Sequence, residues 1–507
     1  MISEKKMSEK LNVLFITSDQ QHYETIGKFN KKIKTPNIDR IIDEGVYMNR
    51  AYAVNPTCTP TRASWITGKY PSQHGAWTLG TKLPESQHTF GEDFTAAGYE
   101  TALIGKAHFQ PLASTEKYPS LEAYPILQDL EFWKTFHGPF YGFNHVELAR
   151  NHTTEAHVGQ HYALWLEEKG CKNWRDYFLQ PTGNMTKDSP RLHWDIPEEY
   201  HYDAWIAERT NAMLQNYAAE DKPFFLWASF FDPHPDYYAP SHWDTMYNPD
   251  DMEVKGLFDS EHLRNSDFHR LSQCEKPDTS KYGKWLHGVH SHLYDEKELK
   301  KKIAVYYGMV SLMDKYIGKI LDKLDELGLS KNTLVVFTTD HGHYYGQHGL
   351  IAKGPFMFDD LVRVPFAARL KGVIPAGKTS DAIMSSVDFM QTVLDFCGIE
   401  APDGVAGVSQ KKALVTPGES VRDWAIVEHN HERGKVNVRT YINQKYKLSI
   451  YLNQPRGELF DLEADPEEHY NLFDNPEYNE IKTRLLTEFI QAEMEKEPLF
   501  MPRIAIA

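Results

Sequence analysis

The sequence predicts an α/β protein with two domains. The larger is built on a mostly parallel sheet covered by helices on both faces, and the smaller C-terminal α+β domain has an antiparallel sheet. Four apolar runs of the kind that buried parallel strands prefer indicate the large sheet, at residues 11–17, 101–105, 224–230 and 333–339. Stretches with a helical spacing of apolar residues lie between these runs, and strands that alternate with helices form such covered sheets.

The elements of the large domain have recognisable ends. The first strand, LNVLFIT, stops before Ser18 and Asp19, and the helix predicted over residues 38–45 follows Pro36. Apolar residues with a helical period cover residues 303–327. We expect this second helix to end at the glycine that follows, because glycine is a frequent helix C-cap.

The chain is predicted to divide near residue 375. Residues 11–375 form the large domain, with poorly periodic insertions at about 111–220 and 241–300 that we expect to lie over the active edge of the sheet. Residues 376–507 form the small domain. Its elements are three β-type runs and a closing amphipathic helix, at residues 436–441, 446–451, 459–462 and 477–494.

Composition and charge narrow the range of partners. The 507 residues carry a formal net charge of −16, from 55 basic and 71 acidic side chains, which argues against nucleic acid or an anionic membrane as the main partner. An anionic substrate would need a local attraction built from a metal, lysines and arginines. The 4 cysteines are too scattered for a disulfide scaffold or a zinc cluster.

The N-terminal stretch MISEKKMSEK lacks the apolar core of a secretory signal. We therefore expect a cytoplasmic protein, or a periplasmic or secreted one if a signal peptide has been removed. The longest apolar run, residues 224–231, is too short to span a bilayer, so no membrane is expected among the partners. The sequence does not predict an oligomeric state.

Polar side chains follow each of the four predicted strands. They are Asp19, then Lys106 and His108, then Asp232 and His234, and finally Asp340 and His341. Because ligand sites of parallel sheets lie beyond the carboxyl ends of the strands, these residues predict a functional site at one edge of the sheet.

The most informative motif is Cys58-Thr59-Pro60-Thr61-Arg62, which fits the pattern C-x-P-x-R. With this composition, about 0.02 matches are expected by chance. The motif and its continuation through residues 67–75 resemble the signature of the sulfatases. The resemblance implies an alkaline-phosphatase-like fold and a maturation enzyme that oxidises Cys58 to formylglycine. The alternative is a buried free cysteine before a helix that begins with proline.

The resemblance also implies a mechanism. Formylglycine hydrate offers one hydroxyl as a nucleophile towards sulfur, activated by a divalent cation, and its second hydroxyl later expels the sulfate. Pro60 suits the first turn of a helix whose N-terminal amides favour anions. Arg62, one turn further, is expected to hold either the oxygens of the hydrate or the carboxylates that bind the cation.

A cation site is expected between two strand ends that are far apart in sequence. The segments around Asp19 and Asp340 resemble the metal-binding motifs of sulfatases, which implies Asp19, Gln20, Asp340, His341 and the modified Cys58 as ligands. Oxygen ligands favour Ca²⁺, and the imidazole leaves Mn²⁺, Mg²⁺ or Zn²⁺ as alternatives. Without a metal, Asp19 and Asp340 would simply cap helices.

Gln20 and His341 depart from the commonest sulfatase pattern, which has an aspartate and an asparagine at these places. Both changes resemble the phosphonate monoester hydrolase branch of the same superfamily. They leave hydrolysis of phosphonate monoesters or phosphodiesters as an alternative function.

Four basic residues are implied as further catalytic groups. The G-K-x-H motif at Gly105–His108 resembles a family motif in which the lysine, Lys106, contacts sulfate oxygens and the histidine, His108, bonds the formylglycine hydroxyl. His234 is the candidate to bind the bridging oxygen, and Lys353 falls where the family places a lysine that faces the substrate. These last two would together protonate the leaving alkoxide. Otherwise a histidine or lysine in a loop is usually a solvated surface residue.

The sequence thus predicts a sulfatase, a sulfuric ester hydrolase that uses formylglycine at position 58 and one divalent cation. The aromatic and histidine content of residues 111–220 favours a sulfated carbohydrate as substrate, because such rings stack on sugars. A hypothesis from another class is a carbohydrate-binding or scaffold protein that keeps the fold without turnover and leaves Cys58 unmodified.

Overall fold

The computed structural model describes residues 10–150, 154–178, 192–283, 294–501 and 503–506. The strands are β1 (Asn12–Ser18), β2 (Val46–Tyr52), β3 (Glu100–Gly105), β4 (His145–Leu148), β5 (His193–Trp194), β6 (Phe224–Ser229), β7 (Ala239–Pro240), β8 (Thr333–Thr339), β9 (Tyr344–Tyr345), β10 (Ile351–Ala352), β11 (Phe366–Arg369), β12 (Lys378–Ser385), β13 (Trp424–Glu432), β14 (Val436–Asn443), β15 (Tyr446–Tyr451) and β16 (Glu458–Asp461).

The α-helices are α1 (Pro36–Asp43), α2 (Cys58–Thr67), α3 (Pro71–His74), α4 (Phe90–Ala96), α5 (Leu130–Trp133), α6 (Gln160–Glu168), α7 (Tyr202–Glu220), α8 (Asp267–Ser272), α9 (Glu296–Glu326), α10 (Asp359–Val362), α11 (Phe389–Phe396), α12 (Lys411–Val415) and α13 (Asn479–Glu495). Within the described ranges, every helix is too short or too polar to serve as a bilayer span.

An eight-stranded sheet forms the centre of the large domain, in the order β12-β2-β11-β8-β1-β6-β3-β4. All neighbouring strands are parallel except β11, which runs antiparallel to both β2 and β8. The predicted mostly parallel sheet is therefore confirmed. The adjacent strands β8, β1, β6 and β3 end at the same edge, and the polar residues singled out in the sequence follow these four ends.

Each face of this sheet buries its own apolar core, because successive side chains of a strand point to opposite faces. In β1, Leu14 and Ile16 belong to the core formed with α1, α7 and α9, whereas Val13 and Phe15 belong to the core formed with α2, α4 and α11. Phe15 stacks on Phe389 of α11, with the ring centroids 3.9 Å apart. Because β1 is covered on both faces, its four consecutive residues Val13 to Ile16 are all apolar.

The C-terminal part contains a separate sheet of four antiparallel strands, in the order β13-β14-β15-β16. Leu485 and Phe489 of α13 pack on one face of this sheet. On the other face, Phe460 lies against Phe358 of the large domain, with 5.7 Å between ring centroids. The predicted α+β character is confirmed. The strand β13 was missed by the sequence prediction because its second half, EHNHE, is polar.

The predicted boundary at residue 375 is wrong. The next strand, β12, pairs in parallel with β2 and completes the large sheet beyond that point. Its first half is largely exposed and polar, so that the sequence resembles a loop.

The region 111–220 was predicted as an insertion, and the structure makes part of it core. Strand β4 extends the large sheet beside β3, and α7 packs on β6. The sequence pattern hides both elements, because β4 has only four residues and the buried face of α7 includes the polar residues Asp203 and Thr210. Arg209 of α7 joins the two by pairing with Glu147 of β4, at 2.7 Å and 2.8 Å between the two nitrogens and the two carboxylate oxygens.

Candidate active site

The carboxyl edge of the large sheet gathers residues that the sequence separates by hundreds of positions. Asp19, Gln20 and Asp340 are buried there. The backbone N–H of Gln20 donates to Oδ1 of Asp340 at 3.0 Å, which joins the ends of β1 and β8 directly. The two predicted carboxylates therefore lie at one site.

Cys58 is the first residue of α2 and is only 1% exposed. Its Sγ lies 3.6 Å from Oδ1 of Asp19, 3.2 Å from Nε2 of His341 and 3.4 Å from Nζ of Lys353. Burial, helped by the negative charge of Asp19, raises the pKa of the thiol to about 11. The unmodified cysteine is therefore protonated at neutral pH, although the charges of Lys106 and Lys353 act to lower its pKa.

A set of donor atoms suited to a divalent cation surrounds this sulfur. Ligand atoms of Asp19, Cys58, Asp340 and His341 all lie within 4.8 Å of one another. His341 Nδ1 is 2.9 Å from the carbonyl oxygen of Gly342, so Nδ1–H donates there and the lone pair of Nε2 faces the site. Burial lowers the pKa of His341 to about 4, which keeps the imidazole neutral and able to bind a metal.

Gln20 also fits a cation site. Its Oε1 is buried and, in the part of the chain that is described, has no hydrogen-bond partner. Its backbone φ of 59° lies in the left-handed region, a strain of the kind that persists at functional sites. Its Nε2 lies 2.7 Å from Nδ1 of His343, whose Nε2 is in turn 2.8 Å from the hydroxyl of Tyr237. These bonds fix the orientation of the Gln20 amide group.

Two cationic side chains hold the carboxylates. Arg62 donates from Nε to Oδ2 of Asp340 at 2.8 Å and approaches Oδ2 of Asp19 at 3.7 Å, and Lys106 forms a short ion pair with Asp19. Burial by itself raises the pKa of Asp19, but Lys106, His234 and Arg62 outweigh it and hold that pKa well below its usual range. Of the two expected contacts of Arg62, the structure contains the one with the carboxylates.

The remaining predicted residues surround this group. Lys353 follows β10 and also lies 3.5 Å from Nε2 of His341. His234 is half-buried, and its charge is among those that lower the pKa of Asp19. His108 is 7% exposed and has a backbone φ of 60°. The catalytic roles of these residues stay predictions.

Arg150 is a candidate that sequence reasoning missed. It is 3% exposed, and its Nη1 lies 3.5 Å from Oε2 of Glu122, while Nε has no hydrogen-bond partner among the described residues. Burial lowers its pKa, and the negative charges of Glu122, Cys58 and Asp19 oppose that change. Arg150 comes two residues after β4. The strand-end rule would have found it if the short strand had been recognised.

Asp232, by contrast, turns its side chain away from the site. It lies in a buried cluster with His201 and Asp203. Oδ2 of Asp232 is 4.0 Å from Nε2 of His201. Burial raises the pKa of Asp232 to about 8. Its backbone carbonyl accepts from the N–H of Asp19 at 3.2 Å, so this residue contributes to the site through the main chain.

Family comparisons cover nearly the whole chain. The family model described as Sulfatase matches residues 11–399, and the model described as N-sulphoglucosamine sulphohydrolase, C-terminal, matches residues 346–495. An arylsulfatase of Clostridium perfringens is 29% identical over 482 residues, which is 93% of this chain and 92% of the relative. An N-acetylglucosamine-6-O-sulfatase of Bacteroides thetaiotaomicron is 27% identical, over 95% of this chain and 86% of the relative.

Solved structures share the fold. A phosphonate monoester hydrolase from Silicibacter pomeroyi superposes with a TM-score of 0.78 at 21% identity, over 98% of both chains. A protein in complex with its substrate D-glucosamine-2-N,6-O-disulfate superposes with a TM-score of 0.72 at 22% identity, over 96% of this chain and 98% of that one. Fold and family model agree: the chain belongs to the sulfatase family of the alkaline phosphatase superfamily and is a sulfuric ester hydrolase.

Proposed function

We propose that this sulfatase hydrolyses a sulfate ester of a carbohydrate, using formylglycine formed from Cys58 and one divalent cation, with Ca²⁺ as the first choice. The observation that carries the proposal is the position of Sγ of Cys58. It lies within 3.6 Å of the Asp19 carboxylate, the His341 imidazole and the Lys353 ammonium, at the N-terminus of a helix. An oxygen nucleophile at this place would face both a cation and an anionic ester.

Asp19, Asp340, His341 and Gln20 would hold the cation. When bound, a divalent cation makes a nearby hydroxyl more acidic and stabilises negative charge on oxygen. Arg62 keeps the two aspartates oriented through its contacts with both. The surrounding positive charges favour the ionised state of Asp19, as its lowered pKa indicates.

Lys106, Lys353 and Arg150 supply the attraction that the acidic chain as a whole does not. Lys106 and Lys353 would bind the sulfate oxygens, whose charge grows as the ester bond breaks. Lys353 and His234 would deliver a proton to the departing alkoxide of the substrate. Arg150 is buried beside this group and would bind a further anionic or hydroxyl group of the substrate.

Maturation is tested by mass spectrometry of the peptide that contains residues 50–70, after expression with and without a formylglycine-generating enzyme. Conversion of the Cys58 thiol to an aldehyde, with activity in proportion to the converted fraction, is the expected result. Full activity in protein whose cysteine is wholly unmodified would overturn the formylglycine part of the proposal. It would also leave the carbohydrate question untouched.

A carbohydrate substrate is supported by the curated relative named N-acetylglucosamine-6-O-sulfatase and by the fold neighbour solved with a sulfated glucosamine. The deciding experiment measures sulfate release from a panel of sulfated sugars, aryl sulfates and choline sulfate. We expect the highest kcat/KM for a sulfated sugar. Activity confined to the other two classes would contradict this choice.

A second candidate function is hydrolysis of phosphonate monoesters or phosphodiesters. Gln20 and His341 favour it at the site, and the fold neighbour from Silicibacter pomeroyi has that activity in its name. Comparing kcat/KM for matched sulfate and phosphonate esters of one leaving group separates the two. A large advantage for the phosphonate would reverse our assignment.

A further inference from the structure

A second group of metal-binding side chains lies away from the candidate active site, where three distant segments of the chain meet. Glu261 belongs to a short 3₁₀ helix in the region 241–300, His348 lies between β9 and β10, and His469 follows β16. Oε2 of Glu261 is 3.1 Å from Nδ1 of His348 and 3.2 Å from Nδ1 of His469. We call these three residues the distal cluster.

We propose that the distal cluster binds a zinc ion. Two imidazole nitrogens and one carboxylate oxygen are a common protein ligand set for zinc. Zinc bonds of about 2.0–2.1 Å in a tetrahedral site place the ligand atoms about 3.3 Å apart. The two distances from Glu261 match that spacing, and all three ligand atoms lie within 4.8 Å of one another.

The outer nitrogens of both imidazoles face carboxylates. Nε2 of His348 lies 3.5 Å from Oδ2 of Asp360, and Nε2 of His469 lies 3.2 Å from Oε2 of Glu467. Such carboxylates fix the proton of a metal-binding histidine on its outer nitrogen and leave the inner nitrogen free to bind the metal. Each ring is thereby oriented with Nδ1 towards Glu261.

The ligands are also held in place before any ion binds. Glu261 is fully buried, and its Oε1 accepts from the N–H of Phe258 at 3.1 Å, which leaves Oε2 directed at the histidines. His348 is 2% exposed and stacks on Phe358 with 3.7 Å between centroids. Its φ of 55° lies in the left-handed region, so the backbone is strained in the conformation that directs this ring into the cluster.

Charge and access complete the site. Glu261, Asp360 and Glu467 place three carboxylates around the two imidazoles, so the surroundings of the site favour a divalent cation. A cavity of about 190 Å³ is lined by His348, His469, Asp360 and Glu467. Because His348 and His469 line this cavity, it gives zinc a route to these two ligands.

The bound ion would join three parts of the molecule. His348 comes just before β10 and Lys353 just after it, with Nζ of Lys353 3.4 Å from Sγ of Cys58, while the other two ligands come from the region 241–300 and from the C-terminal part. Zinc here would therefore stabilise the arrangement of β10 and of Lys353, which follows it. The proposal does not depend on the substrate or on the state of Cys58.

The test is equilibrium dialysis of chelator-treated protein against Zn²⁺, with bound zinc measured by atomic emission. We expect His469→Ala, at the more exposed ligand, to bind one equivalent less than the wild type. His88→Ala is the matched control, because His88 is also flanked by two carboxylates, at 3.3 Å and 2.8 Å, but lies on the surface, where no second histidine of the described residues pairs with them. It should bind as much zinc as the wild type.

A second variant distinguishes zinc bound at the distal cluster from zinc bound in the candidate active site. Asp340→Asn removes a ligand there and should keep the equivalent that His469→Ala loses. Co²⁺ bound to the wild type should show the strong visible absorption of a four-coordinate site, and His469→Ala should lose it. If His469→Ala matches the wild type in both measurements while its circular dichroism is unchanged, the distal cluster is a metal-free ion-pair network and the proposal is wrong.

Discussion

Asp19 and Asp232 follow the ends of neighbouring strands of one sheet, yet the pKa of one carboxyl group is lowered and that of the other is raised. Both are buried, and the N–H of Asp19 donates to the carbonyl of Asp232. Around Asp19, the charges of Lys106, His234 and Arg62 outweigh burial and lower its pKa. Around Asp232 the neighbours are His201 and Asp203, and burial raises the pKa to about 8.

The comparison shows that a strand end does not by itself make a ligand. Both aspartates occupy the position where parallel sheets bind ligands. Only Asp19, which is surrounded by cationic side chains, is ionised at neutral pH. Only an ionised carboxylate is a strong ligand for a hard metal ion. The chemistry of this edge is therefore set by the side chains that arrive from α2, from the end of β3 and from the loop after β10.

The largest effect is expected from Cys58→Ala, which removes the sulfur atom that lies between Asp19, His341 and Lys353. Hydrolysis of a sulfate ester should fall by about 10⁴-fold or more, because the proposed formylglycine nucleophile can no longer form. The measurement is kcat for an aryl sulfate with matured protein. Cys171→Ala, at a buried cysteine outside the site, is the control and should keep wild-type kcat. Residual activity of Cys58→Ala within tenfold of the wild type would refute the role of this residue.

Next in size is the difference between Asp19→Asn and Asp232→Asn, which tests the comparison directly. Asp19→Asn should lower kcat by about 10²–10³-fold, as expected for loss of one preorganised group that supports charge stabilisation. Asp232→Asn preserves the shape and the neutral state of its side chain, so kcat should stay within about tenfold of the wild type. Equal losses in the two variants would mean that both carboxylates serve the reaction alike.

A smaller effect is expected at Arg150, the buried cation that follows β4 beside the candidate active site. Arg150→Ala should lower kcat/KM for a sulfated sugar by about 10–100-fold, the size expected for one hydrogen bond to a charged group. We expect most of the loss in KM. Arg175→Ala, which removes a surface arginine paired with Glu155 at 2.5 Å, should leave kcat/KM unchanged. Unchanged KM in Arg150→Ala would remove this residue from substrate binding.

The smallest effect concerns stability at Asp232. Because its pKa is raised in the folded protein, folding is favoured at low pH and loses this contribution as the pH rises from about 4 towards 8. An asparagine does not titrate. The free energy of unfolding of Asp232→Asn should therefore rise relative to that of the wild type between pH 5 and pH 8, by on the order of 1 kcal/mol or more. Urea unfolding at both pH values measures it, and a constant difference would show that Asp232 does not titrate in this range.

Much of the fold could be predicted because long buried strands carry a strong signal. The strand Thr333–Thr339 was predicted with its observed ends, and the strand that begins at Phe224 ends only one residue earlier than expected. Elements such as β4 and β11 were missed because four residues are too few to show a period. Their place in the sheet is decided by tertiary packing.

The site divides in the same way. Cys58 and Arg62 belong to one short motif, and Asp19 and Asp340 follow strands with a clear apolar pattern. The sequence alone therefore predicted that they lie at one edge of the sheet. The orientation of Asp232 could not be predicted, because a change of one residue in a turn reverses the direction of a side chain. Arg150 and the distal cluster depend on contacts between weakly patterned segments, which no local pattern encodes.

Helix α2 is buried along its whole length, all ten residues from Cys58 to Thr67. A catalyst of protein size has no access to the first of these side chains once the helix has packed against the sheet. The proposed oxidation of the Cys58 thiol therefore has to take place while the chain is unfolded. On that proposal, the order of modification and folding, and not only the presence of the modifying enzyme, should limit how much of the protein becomes active.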